Sequence, residues 1–163
     1  MPKRVRCPYC DRLFSRDTLD DHIQKCNLRK TRTRTVGVPK KTVVVDGNNV
    51  AYYMSSKGVP KAQNLILAYR SLTSTGFEPI FVVSAALIHK IDRPTTLNEF
   101  MSNANVIEAS RRTSDDLKII QLSKELDSNI ISNDRFLDWI EKYPWISSRL
   151  KRYRMTPSGL ILV

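Results

Sequence analysis

The stretch that decides the fold is KTVVVDGNNVAYY, residues 41–53. Its β-branched apolar run, residues 42–45, ends on Asp46 and is followed at once by a glycine and two asparagines. A continuous apolar run of this kind is typical of a strand buried on both faces of a parallel sheet. The aspartate at its end either begins a turn or binds a ligand. The rest of the sequence has to decide between these two interpretations.

The length and composition indicate one soluble domain of ordinary size with a small appendage. The 163 residues are 41% apolar and 26% charged, which is typical of globular rather than disordered chains. No apolar stretch approaches the roughly 18 residues of a membrane span, and no apolar segment follows the basic N-terminus as in a secretory signal. We therefore expect an intracellular, cytoplasmic protein without a membrane partner, whose cysteines stay reduced.

The positive charge is concentrated at the N-terminus. The formal net charge is +11, and residues 1–41 contain 12 Lys and Arg against 4 Asp and Glu, whereas residues 42–163 contain 15 against 12. A basic arm on a nearly neutral body predicts a polyanionic partner, either nucleic acid or an anionic membrane. Nucleic acid is favoured because no amphipathic lipid-binding helix is evident in the arm. The alternative is that the arm only keeps the protein soluble.

Every cysteine lies in the segment CPYCDRLFSRDTLDDHIQKC, residues 7–26. Its spacing, C-x2-C followed by H-x3-C, supplies four potential zinc ligands: Cys7, Cys10, His22 and Cys26. Zinc prefers four such ligands in a tetrahedron, and a closed four-ligand site is structural rather than catalytic. Around 20 residues do not fold on apolar burial alone, so the metal would supply the folding free energy. The alternative is that unrelated cysteines lie close together by chance.

Residues 5–26 resemble a ββα zinc finger in a variant whose last ligand is a cysteine. The resemblance is specific for zinc, but not for DNA over RNA or protein. We expect three parts: a zinc finger in residues 1–27, a basic linker in 28–41 and the main domain in 42–163. The linker lacks apolar periodicity, and its positive charges suit salt-sensitive, sequence-independent contacts with phosphates. A solvated spacer would have the same composition.

The main domain alternates predicted strands with predicted helices. The strands are expected at residues 42–45, 79–85, 105–109 and 129–132, and the helices at 60–75, 94–103, 115–127 and 134–142. A strand near residues 151–154, a Pro-Ser-Gly turn and a final apolar strand close the chain. This alternation predicts an α/β fold, a three-layer sandwich with a mostly parallel central sheet.

Carboxylates follow two of these strands. Asp46 and Asp134 come after strand ends, Asp138 lies one helical turn beyond Asp134, and Asp115 and Asp116 open a helix that starts from the same edge. Ligands of open α/β sheets bind beyond the carboxyl ends of the strands. Clustered carboxylates repel one another unless a hard cation such as Mg²⁺ or Mn²⁺ offsets their charge. Singly, each aspartate also suits a turn or the start of a helix. Together they predict metal-dependent phosphate chemistry.

Three blocks of the sequence, VVVDGNNVA, the acidic pair at 115–116 and IISNDRFLDW, resemble the signature blocks of the NYN branch of the PIN-like nucleases. The closest resemblance is to the regnase-type ribonuclease domain, and it covers residues 42–163. It implies a PIN-like fold and metal-dependent endonucleolytic hydrolysis of single-stranded or structured RNA, leaving a 5′-phosphate. The finger and linker would then recruit the RNA, or a ribonucleoprotein such as the ribosome.

The resemblance also implies roles for individual residues. The catalytic residues would be Asp46, Asp115, Asp116, Asp134 and Asp138. Three of these, Asp46, Asp116 and Asp134, would bind Mg²⁺ or Mn²⁺. The residues that contact the substrate would be Asn49, Arg111, Arg112 and Arg135. For each arginine, a solvated surface charge is the alternative.

Other functions remain open in the sequence. Regnase-type proteins carry a CCCH finger after the nuclease domain, whereas the predicted finger of this chain is of a different type and precedes it, so a preference for messenger RNA stem-loops is not implied. A mechanism with two histidines is excluded once His22 binds zinc, and His89 is interpreted as a surface or loop residue. The alternatives are a non-catalytic RNA- or ribonucleoprotein-binding adaptor, a DNA-binding zinc-finger protein and a DNA nuclease. The RNA target and the oligomeric state are not encoded in any recognisable pattern.

Overall fold

The computed structural model describes residues 4–7, 13–15, 18–23 and 40–163. The chain divides into two compact units at the boundary between Pro39 and Lys40. No helix in these described ranges combines the length and apolar character that crossing a membrane requires.

The first unit contains two short strands and a helix among its described residues. Strands β1 (Arg4–Arg6) and β2 (Leu13–Ser15) pair in an antiparallel manner. Residues 18–23 then form the helix α1. The predicted linker lies outside the described residues except for its last two positions, so its boundaries stay a prediction.

Two of the four predicted zinc ligands belong to the described part of this unit. Cys7, directly after β1, is buried, and the imidazole of His22 in α1 stacks on the ring of Phe14 with centroids 3.8 Å apart. The other two, Cys10 and Cys26, lie outside the described residues. The zinc site therefore stays a prediction.

The second unit is built on five parallel strands. These are β3 (Lys41–Asp46), β4 (Phe77–Ser84), β5 (Val106–Ala109), β6 (Asn129–Ile131) and β7 (Leu150–Lys151). They lie in the order β5-β4-β3-β6-β7, and every neighbouring pair is parallel. All five carboxyl ends therefore meet at one edge, which we call the ligand edge. The predicted α/β fold with a parallel central sheet is confirmed.

Strand β3 occupies the centre of this sheet. Val43 and Val45 pack into one apolar cluster and Val44 into another on the opposite face, with exposures of 0–1%. This burial on both faces explains the continuous β-branched run, because successive side chains of a strand point to opposite faces. The chain passes outward from β3 to β5 and then returns to place β6 on the other side of β3. The topological switch point, where open α/β sheets bind ligands, therefore lies between β3 and β6.

Helices cover both faces of the sheet. In chain order they are α2 (Gly47–Tyr52), α3 (Ala62–Ser74), α4 (Leu87–Lys90), α5 (Pro94–Asn103), α6 (Asp115–Glu125), α7 (Leu137–Ile140) and α8 (Ile146–Arg149). Buried residues of α2, α3 and α5 pack with Val43 and Val45, whereas those of α6 and α8 pack with Val44. The result is the three-layer arrangement that the alternating pattern predicts.

The sequence predicts no helix directly after β3, yet α2 begins at Gly47. Asp46 caps it, because its Oδ1 accepts a hydrogen bond of 3.0 Å from the backbone N–H of Asn49. Glycine is required next to this cap, since a Cβ at Gly47 would overlap the side chain of Val83 and the backbone oxygen of Val82. The cap and this close approach together start a helix where the local composition favours a turn.

The predicted helix at residues 134–142 is wrong in its length, since α7 contains only four residues. Asp134 lies before it and accepts a hydrogen bond of 2.9 Å on Oδ1 from the backbone N–H of Phe136. Phe136 adopts a left-handed backbone conformation with φ of 51°, which ends any continuous helix at that point. Asp134 and Asp138 are therefore not one turn apart on a shared helix.

A β-hairpin follows β7 and packs on α3. Its strands are β8 (Tyr153–Thr156) and β9 (Gly159–Leu162). The backbone N–H of Leu160 donates a hydrogen bond of 2.9 Å to the hydroxyl of Ser71 in α3. Gly159 has φ of 138°, and a Cβ there would overlap the same hydroxyl. The hairpin is thus held at a close approach that only glycine allows.

We expect Gly159→Ala to destabilise the protein by more than Gly58→Ala. Gly58 also has a positive φ, of 69°, but no atom within 4 Å of an added Cβ, so it reports backbone strain alone. That strain costs roughly 1–2 kcal/mol, and the overlap with Ser71 should add about 1 kcal/mol or more at Gly159. Urea denaturation of the full chain measures both. Equal losses of unfolding free energy would contradict the close packing of the hairpin.

Candidate active site at the switch point

Asp46 is held at the switch point through both of its carboxylate oxygens. It is the last residue of β3 and is only 6% exposed. Oδ1 caps α2, and Oδ2 accepts a hydrogen bond of 2.8 Å from the hydroxyl of Ser132, which directly follows β6. Capping alone occupies only one oxygen. The second contact fixes the orientation of the carboxylate across the gap between β3 and β6.

The environment of Asp46 disfavours its negative charge. Its pKa is raised from 3.8 to about 6, mainly by burial and to a smaller extent by the neighbouring carboxylates of Asp116 and Asp134, against the lowering effect of the hydrogen bonds from Asn49 and Ser132. The carboxylate therefore carries a charge that its surroundings stabilise incompletely at neutral pH. A cation bound beside it would offset both the burial and the repulsion.

The remaining predicted carboxylates lie close enough to act on one another. Asp116, in the first turn of α6, is half-buried, and its pKa is raised by burial and then by Asp134, with smaller contributions from Asp115 and Asp138. A hydrogen bond from Trp139 acts in the opposite direction. The ligand edge thus brings together the acidic residues that the sequence places on three separate segments.

The two asparagines after Gly47 connect these segments. Asn48 accepts a hydrogen bond of 3.1 Å on Oδ1 from the backbone N–H of Ser84, at the end of β4. Its Nδ2 donates to Oδ2 of Asp115 at 2.5 Å. Asn48 therefore joins the end of β4 to the start of α6 and orients the carboxylate of Asp115.

Asn49 links Asp46, the loop after β6 and strand β8 by hydrogen bonds. Its Oδ1 accepts hydrogen bonds from the backbone N–H of Asn133 at 3.0 Å and from the hydroxyl of Tyr153 at 2.7 Å. Its own backbone N–H donates to Asp46. Asn49 therefore positions Asp46 through its backbone, while its side chain holds the loop after β6. Its predicted contact with the substrate stays a prediction.

The loop after β6 is fixed by its own side chains. The buried hydroxyl of Ser132 donates to Asp46 and accepts a hydrogen bond of 3.1 Å from the backbone N–H of Asp134. Asn133 exchanges two hydrogen bonds with the backbone of Tyr153, at 3.0 and 3.1 Å. Burial, followed by the charge of Asp46, raises the pKa of the Tyr153 phenol, so it remains a donor at neutral pH.

The sequence prediction misses four positioning residues: Asn48, Ser132, Asn133 and Tyr153. The first three stand inside the quoted blocks beside the predicted carboxylates, so their position offered a signal. Tyr153 offered none, because 104 positions separate it from Asn49. The three predicted RNA-binding arginines, Arg111, Arg112 and Arg135, are exposed in loops at the ligand edge.

The carboxylates of the ligand edge fit Mg²⁺ or Mn²⁺ only as a site that the protein shares with waters and substrate phosphates. Within the described ranges of the chain, no three His, Cys, Asp or Glu side chains form a group that could hold a metal ion. Magnesium, however, is commonly held by one or two carboxylates and completes its shell with waters and substrate phosphates. The buried, incompletely stabilised carboxylate of Asp46 suits such a shared site, whereas an all-protein cage does not fit.

Comparison with solved structures shows the same fold in a larger protein. Two structures of the nuclear protein-only RNase P 2 (PRORP2) of Arabidopsis thaliana match 99% and 100% of this chain, with TM-scores of 0.61 and 0.60. Sequence identity is 17% in both cases, and the chain spans 42% of the length of each matched structure. No curated protein sequence is significantly similar to the chain.

A protein-family comparison provides the assignment. The model of the Zc3h12a-like Ribonuclease NYN domain matches residues 39–158. This match includes all five predicted catalytic aspartates and the loop after β6. It ends within the turn that joins β8 to β9, so it also contains Tyr153. The chain therefore belongs to the Zc3h12a-like ribonuclease NYN domain family.

Proposed function

We propose that this ribonuclease domain is a Mg²⁺- or Mn²⁺-dependent endonuclease that hydrolyses phosphodiester bonds of RNA at the carboxylates around Asp46. The observation that carries the proposal is the position of Asp46. It is buried at the switch point, fixed through both oxygens, and repelled by Asp116 and Asp134. A protein that only binds phosphate gains nothing from clustered negative charge, which weighs against a non-catalytic adaptor.

One or two of the carboxylates of Asp46, Asp116 and Asp134 would hold the metal directly, and waters and substrate phosphates would complete its shell. When bound, the ion offsets their charge and polarises a phosphate oxygen. Ser132 and the backbone of Asn49 keep Asp46 in one orientation. The reaction adds water to the phosphorus and breaks the bond to the 3′ oxygen, which leaves a 3′-hydroxyl and a 5′-phosphate.

Other residues of the ligand edge would supply the remaining roles. Asp134 is exposed and uses Oδ1 for Phe136, so Oδ2 is available to accept a proton from the attacking water. Asp115 and Asp138 would support the acidic site. Arg111, Arg112 and Arg135 would hold the RNA backbone through charge-assisted hydrogen bonds.

The N-terminal unit would recruit the substrate. Its zinc site would consist of Cys7, Cys10, His22 and Cys26, and the burial of Cys7 and the stacking of His22 support this proposal. The basic linker would contact phosphates of RNA or of a ribonucleoprotein such as the ribosome. A cytoplasmic location, expected from the sequence pattern, stays a prediction.

We expect Asp46→Asn and Asp134→Asn to lower kcat for labelled single-stranded RNA at least roughly 100-fold, because each removes a carboxylate that would hold the metal or accept the proton of the attacking water. Asp127→Asn is the matched control, since Asp127 is exposed beside Arg149 and away from the ligand edge. Mg²⁺ or Mn²⁺ is supplied or omitted in buffer that always contains Zn²⁺. RNA binding without cleavage in every buffer would favour the adaptor, and cleavage of DNA alone would favour the DNA nuclease.

Asp46→Asn should also raise the melting temperature of the metal-free protein at pH 7.5. The pKa of Asp46 is about 6 in the folded chain and 3.8 in the unfolded chain, so the folded state binds more protons. The resulting stability is complete below pH 3.8 and is lost as the pH rises through about 6. At pH 7.5 the charged carboxylate costs up to about 3 kcal/mol, which the amide avoids.

Thermal denaturation at pH 7.5 and pH 4 measures the difference in melting temperature between Asp46→Asn and the unmodified protein. The difference should be much smaller at pH 4, and Asp127→Asn should not raise the melting temperature at pH 7.5. Added Mg²⁺ should raise the melting temperature of the unmodified protein but not of Asp46→Asn, because binding to the folded state stabilises it. A lower melting temperature of Asp46→Asn at pH 7.5 would contradict the unfavourable burial of the charge.

Cys7→Ser should remove the zinc that we expect at one equivalent per chain, because a hydroxyl is a poor substitute for a thiolate ligand. Elemental analysis of the purified full chain measures the metal directly. RNA affinity should fall while kcat at saturating RNA is retained. Asp46→Asn is the control that should keep its zinc. An unmodified chain that purifies without zinc would refute the finger.

A further inference from the structure

A cavity of about 290 Å³ opens at the ligand edge beyond β4 and β5. Its lining includes Ser84 and Ala109, which are register partners at the ends of these two strands, and Ala86 at the start of α4. Small side chains at these three positions leave the space that larger ones would fill. The volume is close to the lower limit of small-molecule pockets, which suits one monomeric unit of a polymer.

The cavity adjoins the acidic site. Asp115 lines it and is also one of the proposed catalytic carboxylates. Asn48 reinforces the connection, because it hydrogen-bonds both to Asp115 and to the backbone of Ser84. A ligand in the cavity therefore lies beside any substrate bond held at the carboxylates.

Two planar side chains also line the cavity. His89 belongs to α4, Arg111 to the loop after β5, and both are exposed. Aromatic rings and guanidinium planes stack on unpaired bases, and arginine also binds phosphate. The negative charge of Asp115 in the same cavity disfavours a bare anion. A ligand that suits all three combines a flat ring, a phosphate and hydrogen-bond donors.

We propose that this cavity is a nucleotide subsite, which holds one nucleotide of the RNA next to the cleaved bond. His89 contacts the base, and Arg111 contacts the backbone phosphate. The proposal rests on the endoribonuclease function and names where its substrate lies. It also gives a role in substrate selection to His89, which the sequence alone presents as a surface or loop residue.

The test measures binding and cleavage of fluorescein-labelled oligo(A), oligo(C) and oligo(U) hexamers by the full chain. In buffer without added Mg²⁺, His89→Ala should raise the Kd for at least one hexamer roughly tenfold, which corresponds to about 1.4 kcal/mol. Ala86→Phe, which fills the cavity from its exposed rim, should weaken binding similarly. With Mg²⁺, both variants should raise KM and leave kcat at saturation within about twofold.

Lys124→Ala is the matched control for loss of an exposed side chain, because Lys124 lies in the last turn of α6, at the opposite end from Asp115. It should bind like the unmodified protein. Unchanged Kd and KM in both His89→Ala and Ala86→Phe would overturn the subsite, even if Arg111→Ala weakens binding through its charge. If the chain cleaves no RNA but both variants lose affinity, the nuclease function fails and the nucleotide site stands.

Discussion

The hydrogen bond between Ser132 and Asp46 joins the two halves of the sheet at its switch point. The register pairs Val45 with Ile131, so the next residues of the two segments, Asp46 and Ser132, lie beside each other at the ends of β3 and β6. The orientation of the central carboxylate is therefore set by strand pairing rather than by the conformation of a loop. A slip of one residue would turn Asp46 to the other face of the sheet and remove the site.

Around this bond, the positioning groups are themselves held by other side chains. The side-chain oxygen of Asn49 accepts hydrogen bonds from Asn133 and Tyr153, and its backbone N–H donates to Asp46. Three segments that are distant in the sequence therefore meet at this one residue. This support matters because the carboxylate is buried against like charge. A buried carboxylate that like charges repel keeps one orientation only in a rigid surround, and the parallel sheet and its caps supply it.

Much of this arrangement is readable from the sequence where a pattern is local. The β-branched run gave β3, helical periodicity gave the bounds of α5, and strand ends located Asp46 and Asp134. The failures have physical causes. The Gly-Asn-Asn segment has low helix propensity, and α2 forms there because of a cap and a close approach to β4. The left-handed backbone of Phe136 shortens α7. Hydrophobic periodicity does not reveal a single residue in this conformation. Tyr153 reaches the site only through the tertiary fold.

The dependence of Asn49 on Tyr153 also orders events in time. Asp46 and Asn49 in α2 are synthesised before the phenol that donates to Asn49, which is added 104 residues later. The hydrogen-bonded surround of Asp46 is therefore incomplete while the intervening residues are being synthesised. The domain therefore acquires its complete set of positioning contacts around Asp46 only after Tyr153 has emerged from the exit tunnel.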